Sequence, residues 1–197
     1  MKPPYTRTSY KPRLRDGMWA GWGYFVVPQW NLTIAAPPKA GSSTLKQFFY
    51  MNEIDCTYVP HKEVRGPLYF VVRHPLDRFV SLWKGKCRDK RSIARREVHG
   101  MTLEELMDYI ESGATDVHWT PQTKLVGDLD ATFIPLESLN WWWHQSGLGS
   151  LGTFNTTEGD IEVSDDLRQR VLSFYADDIE LYHKAQSDLC WETLITD

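Results

Sequence analysis

Twice along the chain, a predicted β-strand is followed by a short loop and an amphipathic helix. This order constrains the fold more than any other feature. Residues 31–36 have the pattern of a short strand, and a turn of Pro, Gly and Ser separates them from an apolar stripe over residues 45–49. Residues 68–72 form a continuous apolar run, typical of a strand buried on both faces of a parallel sheet. A second apolar stripe follows over residues 76–83. The pattern predicts an α/β layered fold with a mostly parallel sheet.

The rest of the chain supplies further elements of the same kinds. Thr102 and Glu105 are spaced as a capping box, and apolar residues recur at helical spacing over residues 103–110, so a helix is predicted there. A strand is predicted over residues 131–136. Ser164 and the two aspartates after it mark the start of another helix. The alternation of strands and helices therefore extends along most of the chain.

Length and composition suit one globular domain. The 197 residues are enough for one hydrophobic core, and we predict a basic tail over residues 1–23 and a single domain over residues 24–197. No stretch approaches the roughly 18 consecutive apolar residues of a membrane span, which argues against an integral membrane protein. The tail lacks the apolar run of a secretory signal, so a cytoplasmic protein is expected. Three cysteines without a Cys-x-x-Cys pair argue against a disulfide framework and a zinc site.

The charges divide sharply between the two halves of the chain. Residues 1–96 contain 18 Lys and Arg and 6 Asp and Glu, whereas residues 97–197 contain 4 and 20. The two halves therefore carry net charges of +12 and −16. This asymmetry fits an anionic ligand on the first half, and it fits equally well two faces that neutralise each other.

A loop of small residues with one lysine follows the first predicted strand. Residues 38–44 read Pro-Lys-Ala-Gly-Ser-Ser-Thr. A loop of this kind before a helix exposes main-chain N–H groups at the positive end of the helix dipole, where phosphate-like groups bind. It is not an ATP-binding loop of the Walker type, because Lys39 precedes Gly41 instead of following the last glycine. On this segment alone, an ordinary helix cap is an equal alternative.

A second polar cluster follows the second predicted strand. Arg73 stands at the carboxyl end of that strand, where open α/β sheets bind their ligands. Pro75 suits the first turn of a helix, and Ser81 lies about two turns further on, so Arg73 and Ser81 together could hold one phosphate. The alternative is a salt bridge between Arg73 and Asp77, with Ser81 in solvent.

Together the two segments resemble the nucleotide-binding loops of the sulfotransferase superfamily, which uses 3′-phosphoadenosine 5′-phosphosulfate (PAPS) as sulfuryl donor. Residues 38–43 have the family form Pro-Lys-x-Gly-Ser/Thr-Ser/Thr. Arg73, Pro75 and Ser81 have the family form Arg-x-Pro with a Ser eight residues after the Arg. A third segment, residues 116–125, contains His-Trp-x-Pro-Gln and resembles the Golgi carbohydrate sulfotransferases of the chondroitin type.

This resemblance covers roughly residues 24–185 and implies a P-loop-like three-layer fold, in which helices flank a mostly parallel central sheet. The chain resembles a minimal soluble form of the Golgi enzymes, because their membrane anchor, stalk and cysteine pairs are missing. His74 stands where an acidic residue is frequent in the family. The resemblance therefore does not fix the acceptor, which can differ from a Golgi glycan.

The resemblance also implies a donor site. The first loop would hold the 5′-phosphosulfate and the second loop the 3′-phosphate, without a metal ion. The predicted donor-binding residues are Lys39, Ala40, Gly41, Ser42, Ser43, Thr44, Arg73 and Ser81. Lys39 is also the predicted catalytic cation, which stabilises the leaving phosphate.

The histidines are the candidates for the general base, because a neutral imidazole accepts protons near pH 7. His61 is the first candidate, because it lies after a predicted short strand and before Arg73, the interval from which sulfotransferases commonly project a catalytic histidine. His118 is the second candidate, from the His-Trp-x-Pro-Gln segment. In that segment, Trp119 and Gln122 are candidates for binding the acceptor.

A basic run occupies residues 84–96, with seven basic residues and one acidic residue. A solvated helix face is the common explanation of such runs, and contact with the 3′-phosphate or with an anionic acceptor is the alternative. The run has no interleaved aromatic residues, so it does not favour nucleic acid as a partner.

We therefore predict a PAPS-dependent sulfotransferase that transfers a sulfuryl group to a hydroxyl group of an acceptor, expected to be a carbohydrate, and releases 3′-phosphoadenosine 5′-phosphate (PAP). Two alternatives stay open. One is a nucleotide-dependent phosphotransferase, and the other is a non-catalytic module on the same fold that binds anions or nucleic acid.

Overall fold

A β-sheet organises the computed structural model, which describes residues 23–60, 64, 67–88, 96–152 and 161–192. In this part of the chain the sheet has five strands, in the order β3-β1-β2-β4-β5. The strands are β1 (Tyr24–Val27), β2 (Leu32–Ala35), β3 (Thr57–Val59), β4 (Leu68–Val72) and β5 (Thr132–Pro135). The predicted tail lies outside the described residues except for Gly23, which is buried against β3.

Four of these strands run in the same direction. β2 pairs with β4 and β4 pairs with β5 in parallel, while β1 is antiparallel to both β2 and β3. The predicted α/β class is confirmed, and the sheet is mostly parallel in its core. β1 is the exception, and it was not predicted from the sequence. It forms a hairpin with β2 through a short turn that ends at Asn31, whose left-handed φ of 46° an asparagine tolerates.

Helices cover both faces of the sheet. The described helices are α1 (Ser42–Met51), α2 (Pro75–Trp83), α3 (Leu103–Glu111), α4 (Gln122–Val126), α5 (Leu139–Gln145), α6 (Asp165–Phe174) and α7 (Ala176–Glu192). One face of the sheet presents Phe25, Ile34 and Val71 to α1 and α5. The other face presents Tyr24 and Phe70 to α4 and α7. This alternation follows from the two-residue period of a strand, which sends successive side chains to opposite faces.

A third hydrophobic cluster lies away from the sheet, mainly among helices. α2, α3 and α6 bury Phe79, Leu106 and Val171 against one another, at 2% exposure or less. The predicted capping box is present at the start of α3. The Thr102 hydroxyl oxygen accepts from the main-chain N–H of Glu105, and the Glu105 carboxylate accepts from the main-chain N–H of Thr102. This cluster fixes the position of α2, the helix that follows Arg73.

Asp178 of α7 anchors α4 to the fold. The Asp178 side chain is buried, and its carboxylate accepts hydrogen bonds from the N–H of Gln122 (2.7 Å), the N–H of Thr123 (2.9 Å) and the Thr123 hydroxyl (3.0 Å). The two N–H groups are donors that a helix start leaves without an intrahelical partner. A carboxylate distant in sequence thus caps the segment that carries Gln122.

We predict that Asp178→Ala lowers the free energy of unfolding by about 2–4 kcal/mol, because one buried and two partly buried donors lose their acceptor. Urea unfolding measures the loss. Glu180→Ala, which removes an exposed carboxylate from the same helix, is the control and should change stability by less than about 0.5 kcal/mol. Equal effects of the two variants would contradict this role of Asp178.

Candidate functional site

The carboxyl ends of β2, β3, β4 and β5 meet at one edge of the sheet, because these strands run in the same direction. Residues 36–41 follow β2, Arg73 follows β4, and Leu136–Ser138 follow β5 at this edge. The first predicted base, His61, comes two residues after β3 and lies outside the described residues. The edge is the place where open α/β sheets bind ligands.

The loop after β2 contains two residues with a left-handed backbone conformation. Lys39 and Gly41 have left-handed φ values of 71° and 95°. The N–H of Ala40 donates to the main-chain oxygen of Pro37 at 2.9 Å and closes the turn. A Cβ atom at Gly41 would lie 2.8 Å from Leu136 Cδ1, so both the backbone and the packing call for glycine there. Gly41, the residue before α1, has no side chain with which to cap the helix. The start of a helix is a place where main-chain N–H groups bind anions.

The two predicted anion-binding loops are in direct contact. Arg73 Nη1 donates to the main-chain oxygen of Lys39 at 2.8 Å. Burial lowers the pKa of the Arg73 guanidinium, and the carboxylates of Asp77 and Glu137 offset part of that effect. Arg73 and Lys39 are 34 residues apart in sequence, but they lie next to each other at this edge of the sheet.

The ammonium group of Lys39 lies against the continuation of α2. A Cβ atom at Gly85 would collide with Lys39 Nζ, which shows that the lysine side chain crosses to this glycine. Gly85 belongs to a π-helical segment, Lys84–Arg88, that extends α2. Burial raises the pKa of the nearby Cys87 thiol to about 11, and the positive charge of Lys39 acts in the opposite direction. The beginning of the basic run is therefore beside Lys39, whereas residues 89–95 lie outside the described part.

The other predicted donor-binding residues occupy helix termini. Ser42, Ser43 and Thr44 form the first turn of α1. Ser81 is partly buried in the last turns of α2, on the element that Arg73 precedes. Their predicted contacts with phosphate and sulfate oxygens remain predictions.

Arg78 is a site residue that the sequence analysis missed. Its side chain is buried, and its guanidinium donates to three main-chain oxygens: Pro38 (3.2 Å), His118 (3.3 Å) and Thr120 (2.9 Å). One side chain therefore joins the loop after β2 to the segment 116–122. A signal was present in the sequence, since Arg78 stands three residues after Pro75 on the apolar face of α2, where an uncharged residue is expected.

Two residues predicted to bind the acceptor are placed differently by the structure. Trp119 is buried, and its indole Nε1 donates to the main-chain oxygen of Ala114 at 2.8 Å. Gln122 is fully buried. Its side-chain oxygen accepts from the main-chain N–H of Arg73 (3.0 Å), and its Nε2 donates to the main-chain oxygen of Arg73 (2.9 Å). Trp119 is a core residue, and Gln122 holds the main chain of Arg73.

The second predicted base, His118, pairs with a carboxylate. Its Nδ1 lies 2.5 Å from Asp116 Oδ1, and the same oxygen accepts from the His118 main-chain N–H at 2.9 Å. The His118 side chain is 21% exposed and that of Asp116 is 6% exposed.

An α/β sheet with a lysine-containing loop, a helix N-terminus and an arginine at its carboxyl edge defines a protein class that handles phosphate- or sulfate-bearing groups. The chain belongs to the sulfotransferase family: the model described as "Sulfotransferase family" matches residues 22–141, more than half of the chain. The resemblance drawn from the sequence is thereby confirmed. No curated protein and no solved structure matches the chain significantly.

None of the described helices is long and apolar enough to cross a membrane. No three His, Cys, Asp or Glu side chains of the described part lie together as metal ligands.

We predict that Gly85→Ala lowers the rate of sulfuryl transfer by about tenfold or more, because the added methyl group displaces the Lys39 ammonium while the loop backbone stays in place. A sulfuryl-transfer assay measures the rate. Lys39→Ala removes the colliding atoms, so Gly85→Ala should have no further effect in that background. A full additional loss there would show that Gly85 acts on something other than Lys39.

Proposed function

We propose that the protein transfers the sulfuryl group of PAPS to a hydroxyl group of a carbohydrate and releases PAP. The observation that carries this proposal is the hydrogen bond from Arg73 to the Lys39 main chain, which brings two loops with different anionic targets to one corner of the sheet. A donor with phosphate groups at both its 5′ and 3′ positions has the matching pair of anions.

The residues after β2 fit the 5′-phosphosulfate. The first turn of α1 offers main-chain N–H groups and hydroxyl groups without an acidic side chain to repel an anion. We take the order β2, loop and α1 as a P-loop-like arrangement adapted to this donor. Arg73 and Ser81 are the proposed ligands of the 3′-phosphate, since a guanidinium and a hydroxyl group both donate to phosphate oxygens.

The donor supplies an activated sulfuryl group. In the proposed reaction, the acceptor oxygen forms a bond to sulfur, and the bond between sulfur and the bridging oxygen breaks. The electron pair of that bond goes to the 5′-phosphate, and the hydroxyl proton goes to a base. Lys39 would balance the charge that develops on the leaving phosphate, and His61 and His118 are the two candidates for the base.

The sequence of one segment favours a carbohydrate as acceptor. Residues 116–122 carry the His-Trp-x-Pro-Gln sequence that resembles carbohydrate sulfotransferases. Arg78 binds this segment to the loop after β2, so the segment lies beside the proposed donor site.

We predict that PAP stabilises the protein without magnesium. At about 100 times its dissociation constant, PAP should add about 2.7 kcal/mol and raise Tm by roughly 5–10 °C, whereas ATP with magnesium should change Tm little. Differential scanning fluorimetry measures both. The reverse preference would favour a nucleotide-dependent phosphotransferase.

We predict that Arg73→Ala removes the preference for a 3′-phosphate. The wild-type protein should bind PAP more tightly than adenosine 5′-phosphate, and the variant should bind both with similar affinity, because the proposed 3′-phosphate ligand is lost. Isothermal titration calorimetry gives the two dissociation constants. Arg168→Ala, which removes an exposed arginine on α6, is the matched control. Unchanged discrimination in Arg73→Ala would exclude Arg73 from the site.

A further inference from the structure

The pair of Asp116 and His118 has the geometry of a base and its orienting carboxylate. When Asp116 is ionised, its carboxylate only accepts hydrogen bonds, so His118 Nδ1 is the donor in the 2.5 Å contact. A neutral imidazole in this tautomer carries its lone pair on Nε2, the nitrogen that would take a proton. Asp116 thereby selects the tautomer and fixes the plane of the ring.

The segment that carries this pair is tied to both anion-binding loops. The guanidinium of Arg78 donates to the main-chain oxygens of both His118 and Pro38. Pro38 directly precedes Lys39, the proposed catalytic cation. Gln122, on the other side of the segment, holds the main chain of Arg73. These bonds place the His118 backbone beside the two loops proposed to hold the donor.

We propose that His118 is the general base of the transfer and that Asp116 is its positioning residue. This inference rests on the proposed function. As the acceptor oxygen bonds to sulfur, its proton passes to His118 Nε2, and the ring becomes an imidazolium that the Asp116 carboxylate stabilises. The electron pair of the broken bond remains on the leaving phosphate, and Asp116 keeps its charge throughout.

A purely structural role for Asp116 makes a different prediction. Asp116 Oδ1 also accepts from the His118 main-chain N–H, and the Asp116 main-chain oxygen accepts from the N–H groups of Trp119 and Thr120. This is a side-chain-capped turn, which needs an oxygen acceptor but no charge. Asp116→Asn keeps the acceptor and removes the charge, so it separates the two roles.

A double-mutant cycle on the full chain tests the proposal. We expect His118→Asn to lower kcat for PAP release from PAPS, with unsulfated chondroitin as acceptor, by about 10²-fold or more. Asp116→Asn should lower kcat by about tenfold with little change in KM for PAPS, and it should have less than a twofold further effect in the His118→Asn background. Asp130→Asn, which removes an exposed carboxylate, is the matched control and should leave kcat unchanged.

Three results overturn the inference. The first is a His118→Asn variant that keeps kcat within about threefold of the wild type. The second is a loss from Asp116→Asn that is fully retained when His118 is already replaced, as a structural turn would give. The third is a His61→Asn variant that alone shows the whole loss expected of the base.

Failure of the proposed function is a separate outcome. The PAP-induced rise in Tm reports donor binding and does not require a base, so all variants that fold should retain it. If Asp116→Asn does not fold, Asp116→Ser keeps a side-chain oxygen for the turn and takes its place in the cycle. A wild-type protein that neither binds PAP nor releases it from PAPS would overturn the proposed function and the dyad together. PAP binding with an additive cycle would overturn the dyad alone.

Discussion

The candidate site depends on one buried cation, the guanidinium of Arg78. Burial lowers the pKa of this group, and the phenol of Tyr175 and the carboxylate of Asp178 favour its charged form. An uncompensated buried charge is expensive, so the guanidinium is retained in the interior only where its donors are satisfied. Its three partners are main-chain oxygens of two separate segments. The electrostatic requirement of one side chain therefore sets the distance between the loop after β2 and residues 116–122.

Further buried polar contacts extend this arrangement. Tyr175 donates its hydroxyl group to the Trp119 main-chain oxygen at 2.7 Å, and Asp178 caps α4. Gln122, at the start of α4, then binds the main chain of Arg73. These contacts connect the second half of the chain to the main chain of Arg73 in the first half.

Lys39 shows how strongly backbone conformation controls the chemistry of the site. Its own left-handed φ directs the loop toward Arg73, and the absence of a side chain at Gly85 gives its ammonium group a place to lie. Gly41 permits the close contact with Leu136 that brings the segment after β5 to the loop. These positions tolerate few substitutions, because the required φ values or the space would be lost.

Much of the fold and the two anion-binding loops could be predicted from the sequence, because they depend on local spacing. Apolar periodicity predicted the helices α1, α2, α3 and α6, and loop composition and position after a strand predicted Lys39, Gly41 and Arg73 as site residues. The roles of Arg78, Gln122 and Asp178 were decided only by the tertiary structure. Their partners lie 40 to 56 residues away in sequence, and no spacing rule relates such distant positions. The same reason explains why Trp119 and Gln122 were predicted at the acceptor and are found in the interior: burial depends on what the rest of the chain packs against them.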